Sequence, residues 1–310
     1  MISWRYHLIS IVAVFLAFGL GVLTGTTVLN DNLVRNLKSQ TRNLTADLDE
    51  QRRTDEEHQS ELARMNAFAE QAMPYLVAST LIGEQVIVVT QDGVDGGALA
   101  QTRSALDLAG ADVITTLTVQ PTMAAGTPNA QGDLASVLGL PEGTAAPELA
   151  TAAGHAIASR LATDPAVDLT GADVLGDLLS QGFLTASAPE ITDATLSEIG
   201  GRDQLVVVVG GTSGELSPTS TDFMVPLVQG LAELDVVAGV GEGLEANDGF
   251  VSEIRSSLEA SDVPLVTVDN IDRPVGASAM ALGLRAAIVQ GTGGDYGVKQ
   301  SATRLLPPVQ

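Results

Sequence analysis

QVIVVT at residues 85–90 and LVVVVG at residues 205–210 decide the fold. Each is an unbroken β-branched run rather than an alternation of apolar and polar residues, the pattern of a strand covered on both faces. Residues 112–119, 235–240 and 264–268 are three further strand candidates. Amphipathic stretches lie between or after them, at residues 97–109, 148–161, 219–234, 249–260 and 276–290. This strand–helix–strand order predicts an α/β fold: a Rossmann-like parallel sheet with helices on both sides, over residues 84–300, followed by a tail at 301–310. Residues 121–189 break the rhythm. Rich in Ala, Gly, Thr and Pro, with helices expected near 132–138, 148–161 and 172–183, they read as a helical insertion, either a cap or a partner surface.

Upstream of the sheet the period changes. Val34, Thr41, Leu48, Asp55, Leu62 and Ala69 fall at one heptad position, and Leu37, Leu44, Gln51, His58, Met65 and Ala72 fall three residues later. A 3-4 repeat of this kind predicts a coiled-coil stalk over residues 30–73, and its 34–72 portion would be roughly 58 Å long as one helix. Gln51, Asp55 and His58 interrupt the seam; polar residues there lower stability but fix register or partner. His58 reads as such a register residue rather than a metal ligand. A solvated helix lying on its own globular domain is the alternative.

Further upstream, LISIVAVFLAFGLGVLTGTTVL at residues 8–29 carries no charge over 22 residues. As a helix it covers roughly 33 Å, enough for a bilayer core of about 30 Å. Trp4 and Tyr6 stand where amphipathic rings meet the membrane interface. The rival reading is a cleaved signal peptide. The run exceeds the roughly 7–15 apolar residues of such a signal, and Gly19-Leu20-Gly21, its small-x-small string, lies inside the run. A retained transmembrane helix at 8–29, with residues 1–7 in the cytoplasm, is therefore expected. Arg35, Lys38 and Arg42 follow the helix and only Arg5 precedes it, so local charge leans towards a cytoplasmic body. Large domains cross largely regardless of charge, however, and the expectation is a single-pass protein of the cell membrane with its body outside the cytoplasm, rather than an outer-membrane protein. Ala17, Gly21 and Gly25 recur every four residues, a stripe that allows close helix approach. With Val34, Leu37, Leu44, Leu48, His58, Leu62 and Met65 they form the expected dimer or partner interface. Simple tolerance of glycine in membrane helices explains the stripe equally well.

The net charge of −23 rests on the body, because residues 1–64 hold 7 Lys/Arg against 8 Asp/Glu. Such a body repels phosphate backbones, so no nucleic-acid partner is expected. Aromatic residues make up only 3%, which leaves few anchors for ligand stacking. With no cysteine, disulfides, thiolate metal sites and cysteine nucleophiles are excluded together.

Ligands in parallel sheets bind at the carboxyl ends of strands. Those ends read Thr90-Gln91-Asp92-Gly93, Gly210-Gly211-Thr212-Ser213-Gly214-Glu215 and Gly239-Val240-Gly241-Glu242-Gly243. None is a G-x-G-x-x-G opening a helix, no G-K-[ST] occurs, and the two lysines, Lys38 and Lys299, are not expected near these loops. Tight turns account for the glycines. His155, in an Ala-rich helix, is the body's sole histidine, and G-x-S-x-G is missing. No enzyme, cofactor or catalytic residue is expected. Copper sites favour Cys, Met and His, whereas here three scattered histidines and six methionines show no close clustering. Asp92 and Asp95 form a solvated turn or a weak seat for a hard cation. A lone transmembrane helix encloses no pore.

The opening MISWRYHLISIVAVFLAFGLGVLTGTTVLND, the heptads after it, and the QVIVVT and LVVVVGG runs resemble the actinobacterial MctB/SteB family over the whole chain. The most specific part is Gly21-Val22-Leu23-Thr24-Gly25 running into Leu29-Asn30-Asp31. No catalytic motif defines that family, so the resemblance carries over no active site. Its mycobacterial members imply copper transport or homeostasis and an outer-membrane channel role. Its corynebacterial members imply a membrane partner of a neighbouring protein, SteA, in cell-wall remodelling at division. Three functions follow as expectations: a non-enzymatic, membrane-anchored dimer or docking scaffold at the cell envelope; a copper-homeostasis component; and a small-molecule-binding α/β domain.

Overall fold

The computed structural model describes residues 4–164, 173–187, 196–212, 217–258 and 263–308, and for residues 26–33 the backbone alone. It divides into two compact units, Met1–Met65 and Asn66–Gln310. One α-helix, α1 (Trp4–Val77), supplies all of the first unit's described structure and begins the second. Its only proline, Pro74, lies in the last turn, and the helix continues past it to Val77 rather than ending before it. Proline's fixed φ is helical, so the chain keeps its course at the cost of one missing N–H bond and crowding against the carbonyl four residues back. The apolar span within α1 is Trp4–Gly25, 22 residues, long and apolar enough to cross a membrane.

In the second unit, seven strands among the described residues form one sheet in the order β3-β2-β1-β4-β5-β6-β7. The strands are β1 (Gln85–Gln91), β2 (Asp112–Val119), β3 (Leu184–Ser187), β4 (Gln204–Gly210), β5 (Ala238–Glu242), β6 (Leu265–Val268) and β7 (Gly294–Tyr296). All pairings are parallel except β2 with β3. The unbroken Val runs sit at the centre because both of their faces are covered. Ile87 and Val89 of β1, with Val206 and Val208 of β4, pack into one hydrophobic cluster. Val86 and Val88, with Leu205, Val207 and Val209, pack into a second on the other side.

The second cluster is closed by α2 (Gly96–Ala109), α8 (Pro274–Gln290) and the end of α1, through Leu106, Leu284, Met73 and Val77. The first is closed by α3 (Pro128–Leu138), α4 (Ala146–Ala162), α5 (Val174–Ser180), α6 (Val225–Glu233) and α7 (Phe250–Ser257). The segment expected to be an insertion therefore does not stand apart. Leu134, Leu149 and Ile157 bury themselves against the sheet, and β3 extends its edge. The Ala and Gly content that broke the strand–helix rhythm serves close packing: a Cβ at Gly154 would overlap the backbone of Phe223, just before α6.

The fifth strand lies downstream of its expected place at 235–240. Asp235 takes a positive φ of 56° and turns the chain, so the strand begins at Ala238. It runs through Gly239 and Gly241, poor strand formers kept small because Met280 and Ile271 fill the space beside them.

Candidate functional site

The order of the sheet reverses between β1 and β4, and in open parallel sheets ligands bind outside the carboxyl ends of strands at such a point. A cavity of about 400 Å³ opens there, lined by Gly93, Asp95, Gly211, Thr212, Gly243, Glu245 and Ala246. Gly93 and Gly211 take φ of +87° and +84°, the left-handed turns that the glycines predicted. Residues 213–216 of the second loop lie outside the described residues.

The crevice is built against anions. The N-terminus of α2, where a dinucleotide fold would place its pyrophosphate, is capped by the chain itself, with Gly97 N donating to Asp95 Oδ1 at 3.0 Å. Asp95 is thus a helix cap rather than an open cation ligand. The next loops are held by carboxylates as well. Thr212 donates to Asp248 Oδ2 through its backbone N at 2.7 Å and its hydroxyl at 3.2 Å, and Leu244 N donates to Asp272 Oδ1 at 2.7 Å. With Glu245 also on the wall, the crevice presents carboxylates where a dinucleotide fold presents free backbone donors.

One lysine does reach these loops, contrary to the sequence expectation. Lys299 Nζ donates to Glu242 Oε1 at 2.7 Å and to the carbonyl of Ala246 at 2.6 Å. Glu242 is wholly buried, and its other oxygen accepts from Val251 N at 2.9 Å. Burial pushes the Glu242 carboxyl above its ordinary range, against the pull of Lys299 and the Val251 amide. Sequence spacing gives no signal for this pair, because 57 positions separate its members.

A second polar network ties α7 to β6 and β7. Arg255 donates to Asp269 Oδ2 at 2.8 Å, to Thr267 Oγ1 at 2.7 Å and to the carbonyl of Tyr296 at 2.7 Å. These groups are spent on one another and hold the fold together. His155 is exposed on α4, and Met73, Met123, Met224 and Met280 are buried in the two cores. Among the described residues no group of three or more His, Cys, Asp and Glu side chains is gathered.

The residues expected to form an interface are all on α1. Val34, Leu37, Leu44, Leu48, Leu62 and Met65 are each more than half exposed, and His58 is exposed with them. Ala17, Gly21 and Gly25 are exposed as well. The structure does not bring the two sets onto one face. Gly21 and Val34 are 13 positions apart on one continuous helix. At 3.6 residues per turn that places them about 140° apart around the axis.

Residues 1–307 match the family described as "MctB: Copper transport outer membrane protein, MctB". The chain belongs to that family. Its relatives include "Copper transporter MctB" of Mycobacterium tuberculosis (strain ATCC 25618 / H37Rv), 28% identical over 97% of this chain and 98% of the relative. The protein of the same name from Mycobacterium leprae (strain TN) is 27% identical over 99% of this chain and 100% of the relative. The similarity thus runs through the apolar helix, the heptads and the sheet alike.

Proposed function

We propose that this chain serves copper homeostasis as a single-pass protein of the cell membrane, with its N-terminus in the cytoplasm and its acidic body outside. The observation that carries the reading is the family match across residues 1–307, with full-length relatives named copper transporters. The 22-residue apolar span supports an anchor in the cell membrane. So does the parallel sheet: its central strands are buried on both faces and offer no lipid-facing side from which to build an outer-membrane barrel. One membrane helix encloses no pore, so the copper role belongs to an assembly rather than to a single chain. The role is non-enzymatic. The body's one histidine lies exposed on α4, and Asp95, Asp248 and Glu242 at the crevice are committed to a helix cap, a loop and Lys299 respectively.

Deleting the protein in its host and measuring cell copper by mass spectrometry after a copper challenge tests this reading. Cell copper rises without the chain and returns when the full-length protein is restored; an unchanged copper content refutes the copper role. A reporter fused at Gln310 tests topology, and activity confined to the cytosol contradicts it.

The exposed heptad residues favour a second, compatible reading: a docking scaffold that pairs with itself or with a coiled-coil envelope protein of the SteA kind. Replacing Leu44, Leu48 and Leu62 with serine should abolish its cross-linking in membranes, and undiminished cross-linking would refute it.

A further inference from the structure

We propose that two copies of this chain pair along α1 in parallel and in register, through a face that includes Leu16, Leu20 and Leu23 and continues along the heptads, with the Ala17, Gly21 and Gly25 stripe turned away. The inference rests on the membrane anchor and self-association argued above, and it goes further by fixing the occupant, its direction and its face.

Three observations carry it. The first is phase. Counting two heptads back from Val34 reaches Leu20, and the companion positions fall on Leu16 and Leu23. An apolar groove runs along this side of the helix, lined by Val12, Phe15, Leu16, Gly19, Leu20 and Leu23. None of Ala17, Gly21 and Gly25 lines it.

The second is charge. In a parallel, in-register pair, the residue just before one seam position of one helix meets the residue five further along its partner. Asp47 and Arg52 hold those two places, so the pair forms twice by symmetry. The third is the membrane. Two copies anchored at Trp4–Gly25 in one bilayer can join heptads that begin nine positions later only if both helices run the same way. Gln51, Asp55 and His58 then meet their own copies. The facing Asp55 carboxylates weaken the seam at that layer, and the register is held by the charge pairs: slipping by a heptad would set Asp47 against Thr45 or Gln59 and lose both Asp47–Arg52 pairs.

The chain has no cysteine, so single cysteines in the full-length protein in membranes report the geometry directly. Leu20→Cys, Leu48→Cys and Leu62→Cys should give disulfide-linked dimers on mild oxidation, whereas Gly21→Cys and Ser60→Cys should remain monomeric. Dimers through Gly21→Cys without Leu20→Cys, equal yields at all five sites, or no dimer at all would each overturn the proposal. Asp47→Arg and Arg52→Asp should each weaken association about five-fold, and the double exchange should restore it. A double exchange that stays weak overturns the in-register arrangement. Because these readouts do not involve copper, their failure is distinguishable from a failure of the copper reading, and the Gln310 reporter checks the anchor independently.

Discussion

The body and the long helix treat apolar residues in opposite ways. In the body, Val86 to Val89 and Val206 to Val209 are buried on both faces of the sheet, and the buried charges Arg160 and Arg255 each hold a carboxylate. On α1, the leucines at 37, 44, 48 and 62 stand more than half exposed at regular spacing. Apolar surface kept in register yet uncovered marks a place where another surface binds. If α1 pairs as proposed above, the contrast separates two jobs: the body's contacts are spent on folding, and the helix keeps the contacts that recruit.

Breaking the body should produce the largest effects. Arg255→Met leaves the buried Asp269 without its cation, held only by the Val298 and Lys299 amides, and loss of one member of a buried ion pair costs about 3–5 kcal/mol. Thermal denaturation of the full-length protein followed by circular dichroism should show a midpoint lowered by about 10 °C. Ile87→Ala, which opens a cavity beside the central strand, should cost about 3 kcal/mol in the same measurement.

Lys299→Met should show a smaller, pH-dependent loss. Burial raises the Glu242 carboxyl above its ordinary 4.5 in the folded chain. A raised acid contributes stability that is fully present below pH 4.5 and is lost as pH rises through the folded value. Removing Lys299 takes away a group that lowers this value, so the window widens upward. The variant should lose about 1–2 kcal/mol more at pH 8 than at pH 5, relative to the unchanged protein. Equal losses at the two pH values would show that the pair does not matter electrostatically.

The smallest effect on folding, and the most informative, belongs to the helix. Leu44→Ser, Leu48→Ser and Leu62→Ser together should move the body's melting midpoint by no more than about 1–2 °C. Self-association should nevertheless disappear. A large drop in the midpoint would break the division between folding and recruitment.

The fold was legible where one physical demand dominated. A β-branched run of the kind at Val86 to Val89 satisfies nothing but a doubly covered strand, and a charge-free run of 22 residues satisfies little but lipid. Legibility failed where two demands competed. Gly241 read as a turn beyond the strand expected at 235–240, yet it belongs to the strand with Gly239, and both stay small because Ile271 and Met280 fill the space beside them. Leu184 to Ser187 carries too weak a pattern to announce an edge strand, and with it the supposed insertion concealed the wall of a core. The crevice was half legible. Its glycines marked the turns, but Asp95 as the helix cap and Lys299 under the loop depend on contacts that sequence distance hides.

We propose that α1's exposed seam, rather than the body alone, carries the cellular role. The most direct test restores a deletion strain with the Leu44→Ser/Leu48→Ser/Leu62→Ser protein and measures cell copper after challenge. The variant should be folded and membrane-bound yet leave cell copper as high as in the deletion strain. Full restoration of cell copper by that variant would contradict it.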